Sequence, residues 1–366
     1  AGQTGDGRAA DKGGFTVKRE EILQRLRFHV PEKKRKRVIV HTDIKNEADD
    51  PFTIVQHLLT PSEEVEGIIA GHNEWMAGIM VPKMAEQYGI SQEELMAKMS
   101  DMTESGAGTE GNPMVTPRGK SMEKNYREGV KILKLAQIDD VPLVRGSAYE
   151  LASDRPEELP ESEGADFIIQ QAMKKDDRPL YVALLGCLTD LAIAYLKEPQ
   201  IADKVIAVWI GGGDYPNGGG EFNLMQDVIA ARVLFDSPME IWQIPMNVYK
   251  TMEFSLAELV DKIAPCGEIG AYVCQQMLDF NEKMGNTPNG FPHGETWSIG
   301  DNPTVSVLLQ GSERVCWHME HAPYINDDYS YTMREDSKMI RVYDSVDTRL
   351  TLSDLFSKLR LCYGGR

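Results

Sequence analysis

A chain of 366 residues with 42% hydrophobic and 8% aromatic content can bury a large core, and one α/β domain with loop insertions is expected at this length. The formal net charge of −18 argues against binding nucleic acid or an anionic membrane through a broad basic face, and fits a cation site or a neutral ligand. Five scattered cysteines, with no CxxC pair and no histidine at zinc-finger spacing, argue against a disulfide framework or structural zinc.

Residues 1–34 are read as an N-terminal tail and lead-in, and residues 35–366 as the domain. Within the lead-in, "KKRKR" at 33–37 is the one basic run and reads as a solvated approach to the first strand. From there, short apolar runs alternate with longer amphipathic segments, as expected of βα units around a mainly parallel sheet. Strands are predicted at 37–43, 65–71, 142–145, 180–186, 204–210 and 240–244. Helical periodicity falls at 51–60, 121–136, 165–175, 189–197, 226–236, 255–264 and 268–284. Two loop-rich stretches, 100–121 and 283–298, interrupt the rhythm, and the C-terminal segment reads as a strand followed by a helix. The most apolar stretch, 181–196, is too short to span a bilayer.

In open α/β sheets, ligands sit at the carboxyl ends of the strands, and polar residues gather at four such ends here. "HTDIKNEADD" closes the first strand with Asp43 and opens a helix with Asp49 and Asp50. Capping and the helix dipole account for Glu47 and Asp49. They do not account for Asp43, whose carboxylate at the end of an apolar strand is costly to bury unless something pairs with it. A hard cation shared by Asp43 and one or both of the Asp49–Asp50 pair would supply that partner, and oxygen-only donors favour Ca²⁺ or Mg²⁺. The other ends are "ALLGCLTDLA", with Thr189 at a helix start, "WIGGGDYPNGGGEFN", and "GDNP", with Asp301 at a helix entry.

These motifs, with "MQDVIAARVLF", stand in the order and approximate spacing found in nucleoside hydrolases, and the resemblance runs from Arg37 to the C-terminus. It implies a Rossmann-like α/β fold, a mainly parallel central sheet flanked by helices, and Ca²⁺-dependent hydrolysis of the N-glycosidic bond of a ribonucleoside. By the motif match, Asp43 would ligate calcium and act as general base for the attacking water. Asp50, the backbone carbonyl of Thr189, and Asp301 would complete the metal shell. Asp49, Glu221 and Asn223, with Asn73 and Asn217, would hold sugar hydroxyls. The resemblance also implies a small-molecule nucleoside or related glycoside as partner and admits assembly as a dimer or tetramer. A cytoplasmic location is expected, with a secreted or periplasmic one left open.

The chain departs from the family pattern in three places. Asp49 and Asp50 lie six and seven residues after Asp43, a longer elbow than usual. Gly300 stands where many members carry a histidine that protonates the leaving base, which leaves His293 as the candidate acid. Cys187 replaces a usual proline. Trp75, Trp297, Tyr249 and Phe254 are candidates for stacking on a base or sugar ring. Two other functions therefore stand beside nucleoside hydrolysis: hydrolysis of another ribosyl or glycosyl compound, and calcium-dependent sugar binding without turnover.

Overall fold

The structure, a computed structural model, describes residues 16–45, 47–74, 80–95, 116–284, 294–309 and 316–365. Its centre is an eight-stranded sheet of β1 (Lys36–Thr42), β2 (Glu63–Ala70), β3 (Leu143–Arg145), β4 (Leu180–Leu184), β5 (Val205–Ile210), β6 (Glu240–Ile244), β7 (Cys316–His321) and β8 (Met339–Ser345). The spatial order is β3-β2-β1-β4-β5-β6-β8-β7, and every pairing is parallel except that of β7 with β8.

Because side chains alternate across a strand, β1 feeds both faces of the sheet. Val38 and Val40 point to one apolar layer and Ile39 to the other. The first layer is closed by α1 (Asp50–Leu58), α6 (Gly267–Met284) and α8 (Thr348–Tyr363); the second by α3 (Glu163–Ala172), α4 (Thr189–Lys197) and α5 (Val228–Asp236). Helix α2 (Ser121–Leu135) covers the β2–β3 end, and α7 (Pro303–Leu309) follows Asp301. Helices on both faces of a parallel sheet are the arrangement expected from the βα rhythm.

The lead-in is part of this packing. A short helix, Arg19–Leu23, sends Ile22 and Leu23 into the first layer, and the buried Arg19 guanidinium donates to the carbonyls of Leu58, His57 and Thr60 at the end of α1. Arg37, from the basic run, is buried and paired with Glu66 at 2.7 Å. Helix 226–236 of the sequence reading is broken at Asp227, whose carboxylate caps α5 through the amide of Ala230 at 2.9 Å. The run 255–264 is a single helical turn followed by a π-helical one, Leu259–Ile263. Among the described residues all five cysteines are free, and no helix is long and apolar enough to cross a membrane.

Candidate active site

In this strand order β1 lies between β2 and β4, so the chain leaves the sheet in opposite directions on either side of it and opens a crevice at the carboxyl ends of β1 and β4. Asp43 follows β1 directly, and Gly186 follows β4. A Cβ on Gly186 would stand 2.9 Å from Asp43 Oδ1, so the two chains approach closely only because residue 186 has no side chain. Trp209 Nε1, donating to the Gly186 carbonyl at 3.0 Å, holds that turn in place. We expect Gly186→Ala to push the carboxylate aside, weaken the binding of any cation held there about tenfold and cost about 1–3 kcal/mol of stability by overpacking. Titration calorimetry and a thermal melt check this; unchanged values for both would mean that Asp43 has room to retreat.

The elbow then delivers Asp49 and Asp50 at the start of α1. Asp49 is the N-cap residue, yet its side chain makes no capping hydrogen bond, which corrects the capping account of that residue. Its carboxylate instead gathers with those of Asp50 and Asp301, with one oxygen of each lying within 4.8 Å of the others. Asp50 accepts a short hydrogen bond from Thr42 Oγ1 and shares another with Asp301. Asp301 is placed by its neighbour: Asn302 accepts from Thr53 Oγ1 at 2.8 Å and donates to Gln56 Oε1 at 2.6 Å, which ties the start of α7 to α1.

Asp43, Asp49, Asp50 and Asp301 are 2%, 7%, 3% and 5% exposed, so four carboxyl groups share a nearly dry space. Burial first and the neighbouring carboxylates second push Asp43, Asp49 and Asp301 well above the usual carboxylate range. Burial raises Asp50 to about 6 despite its hydrogen bonds to Thr42 and Asp301. Glu47, half-buried at the rim, is raised to about 7 by burial and by Asp50. Asp43 Oδ2 and Asp301 Oδ2 are buried with no hydrogen-bond partner. Buried, partnerless carboxylate oxygens in a cluster are what a cation would satisfy.

The remaining candidates divide by how firmly they are held. Glu221 caps the helical turn Phe222–Gln226, and its oxygens accept from the amides of Gly212, Asn223 and Leu224 and from the Tyr249 hydroxyl. Asn223 spends its amide nitrogen on the carbonyls of Leu185 and Ile210, bridging the ends of β4 and β5 in bonds that do not use the amide oxygen. The Thr189 hydroxyl faces away from the carboxylate cluster, donating to Asp227 Oδ2 at 2.7 Å and meeting His72 Nε2 at 2.8 Å. Asn73 is linked to Ser121 and Asn125 on α2, while Asn217 sits exposed on the 214–220 loop with its carbonyl accepting from Tyr331 N. His293 and Trp75 lie outside the described residues. Trp297 and Phe254 are buried in a two-stranded ribbon and serve the core, not a ligand.

Two residues that the sequence reading passed over or left among stacking candidates matter here. Asn125, fully buried, accepts from Lys45 N and donates to the Gly71 carbonyl, anchoring the elbow to the end of β2. Tyr249 bridges Glu221 and the carboxylate side of the crevice, as described below.

Fold and site together define an open α/β protein with a cluster of buried carboxylates at the sheet's switch point. Residues 115–351 match the family model described as inosine-uridine preferring nucleoside hydrolase, and the chain belongs to that family. The match includes Thr189, Glu221, Asn223 and Asp301, and begins after the elbow. Among curated relatives, the chain is 22% identical over 181 residues to the pyrimidine-specific ribonucleoside hydrolase RihA of Salmonella paratyphi A, covering 43% of this chain and 58% of that protein. It is 33% identical over 90 residues to the inosine-uridine preferring nucleoside hydrolase of Crithidia fasciculata, covering 24% of this chain and 28% of that protein. The first of these alignments thus spans less than two thirds of the relative's length. Among solved structures, the purine-preferring ribonucleoside hydrolase from Gardnerella vaginalis superposes with a TM-score of 0.62 at 17% identity, over 89% of this chain and 99% of that one. A nucleoside hydrolase-related hypothetical protein from Saccharophagus degradans, associated with carbohydrate metabolism, superposes with a TM-score of 0.51 at 16% identity, over 91% and 73%. At these identities the likeness is one of fold.

Proposed function

We propose that the chain hydrolyses the N-glycosidic bond of a ribonucleoside, releasing ribose and free base, with Ca²⁺ held in the carboxylate cluster. One observation carries this reading: the buried carboxyl groups of Asp49, Asp50 and Asp301 bring oxygens within 4.8 Å of one another at the switch point of the sheet, Asp43 is buried close enough to feel their charge, and one oxygen each of Asp43 and Asp301 has no partner. The donor set fits a hard cation, because every side-chain donor is an oxygen. Asp50, Asp301 and Asp43 would hold it, joined by the Thr189 carbonyl. When bound, the ion supplies positive charge that lowers the pKa of a nearby water.

The chain's own residues do the rest. Asp43 takes the proton of the attacking water at Oδ2, the oxygen that no protein group occupies. Burial and the neighbouring Asp50 and Asp49 push the Asp43 carboxyl up in the metal-free cluster, and a cation held beside it would offset that push and favour the carboxylate that accepts the proton. Asp49 accepts from a sugar hydroxyl, Asn223 meets another through its amide oxygen, and Glu221 receives a third. As the bond from the sugar carbon to the base breaks, positive charge spreads over the ring, and the surplus of carboxylates stabilises it. The oxygen of that water bonds to the carbon as the bond to the base breaks, and the base leaves with a proton that in net replaces the one Asp43 took and then releases.

The test is release of free base from a panel of purine and pyrimidine nucleosides, with and without a calcium chelator. Chelator-sensitive release is the expected outcome. No release, with calcium bound, would replace this reading by one of two others: another glycosyl substrate or binding without turnover. Gly300, which offers no side chain to protonate a leaving base, is the feature that favours a different leaving group.

A further inference from the structure

Glu221 and the metal-side carboxylates are linked by one side chain, Tyr249, at the end of the turn after β6. Its hydroxyl donates to Glu221 Oε1 at 2.7 Å. Its ring lies over Gly300: a Cβ on that glycine would stand 2.9 Å from Tyr249 Cδ2 and 3.8 Å from Asp49 Oδ2. The ring therefore takes the space that a side chain at position 300 would need, beside both Asp49 and Asp301. Tyr249 is half-buried.

A carboxylate offers about four acceptor positions, and in Glu221 all four are filled. Oε2 accepts from Gly212 N at 2.7 Å and Leu224 N at 2.9 Å, and Oε1 from Asn223 N at 3.0 Å and from Tyr249. Three donors are backbone amides of the loop and helical turn that Glu221 itself organises, so they cannot leave without unfolding that turn. The fourth is a side chain on a separate element. A sugar hydroxyl reaching Glu221 must displace it.

Resting on the sugar-binding role proposed for Glu221, we infer that Tyr249 is a specificity-determining residue whose hydroxyl stands in for one substrate hydroxyl and is exchanged for it on binding. A polyol ring that lacks that hydroxyl leaves Tyr249 in place, whereas one that carries it must break the tyrosine's bond to bind. The pair thereby sets affinity at a single sugar position.

The experiment measures calcium-supported binding of 1,4-dideoxy-1,4-imino-D-ribitol, a ribose-shaped ring with no leaving group, and of its three monodeoxy counterparts, to wild type and Tyr249→Phe by calorimetry. Removing only the hydroxyl keeps the ring over Gly300, and a thermal melt checks that the variant is folded. Phenylalanine opens the fourth acceptor position, so the parent ring is expected to bind about tenfold more tightly, the scale of one hydrogen bond to a charged group. One deoxy counterpart, the one lacking the hydroxyl that meets Glu221, should show no gain. A gain shared by all four rings, no gain, or weaker binding would overturn the exchange. A wild type that binds none of the rings removes the sugar-binding reading and this inference with it; a wild type that binds them while the variant matches it removes this inference alone.

Discussion

Replacing Asp43 by asparagine is expected to lower turnover about 10³-fold, the scale lost when a positioned general base is removed, while the fold survives. The side chains have nearly the same shape, so the close approach to Gly186 is kept. What disappears is the proton acceptor at Oδ2 and one of the charges crowded against Asp49 and Asp50. The metal-free variant should therefore melt at or above the temperature of the metal-free wild type. Initial rates with a chromogenic riboside, alongside a thermal melt, check both halves. Near-normal turnover would remove Asp43 from the role of base, and a collapse in melting temperature would show it to be a structural residue instead.

The second large effect is on stability as a function of pH. Burial first raises both Glu47, to about 7 with the help of Asp50, and Asp50, to about 6 against the pull of its hydrogen bonds. In the unfolded chain these groups titrate near their ordinary values of about 4. Between those limits the folded chain holds protons that the unfolded chain has released, so stability falls as pH rises. The metal-free protein should be most stable near pH 4 with respect to these groups and lose that contribution through pH 6 to 7, on the order of 3 kcal/mol from Asp50 alone. Calcium should restore it, with a gain in melting temperature of about 5 °C at pH 8 and much less at pH 5, where protons compete for the same oxygens. Scanning calorimetry with and without chelator across this range is decisive. A metal-free melting temperature flat in pH, or an equal calcium gain at both ends, would mean that the cluster does not hold the ion.

The residues that could be read from the chain are those whose placement is local. Asp43 was legible because a carboxylate at the end of an apolar strand has few reasons to be there, and α4 starts at Thr189 as its periodicity requires. Strand β6 also has the bounds its apolar run suggests. Asp227 was hidden inside a continuous helical pattern, since the residues on both sides keep the same period and only the capping bond to Ala230 reveals the break. Strand β7, "CWHMEH", was missed because three polar residues in a half-exposed edge give no apolar run. Asn125 and Tyr249 act on partners 80 and 28 residues away, through contacts that no spacing rule can register. Asp49 shows the reverse error: its position fits a cap, but its side chain makes no capping bond and lies with Asp50 and Asp301.

Helix α1 begins with Asp50 and is buried at all nine positions, pinned by Asn302, by Arg19 and by the apolar layer beneath it. Strand β1, at the other end of the elbow, is equally fixed by parallel neighbours on both sides. A connection whose two ends are clamped can gain residues without shifting either anchor, because closing a slightly longer loop costs little extra entropy. Insertions in this elbow would therefore change what overhangs the crevice while the charges below stay registered. Glu47 stands in such a clamped connection, a stretch whose length can vary while its two anchors keep their places.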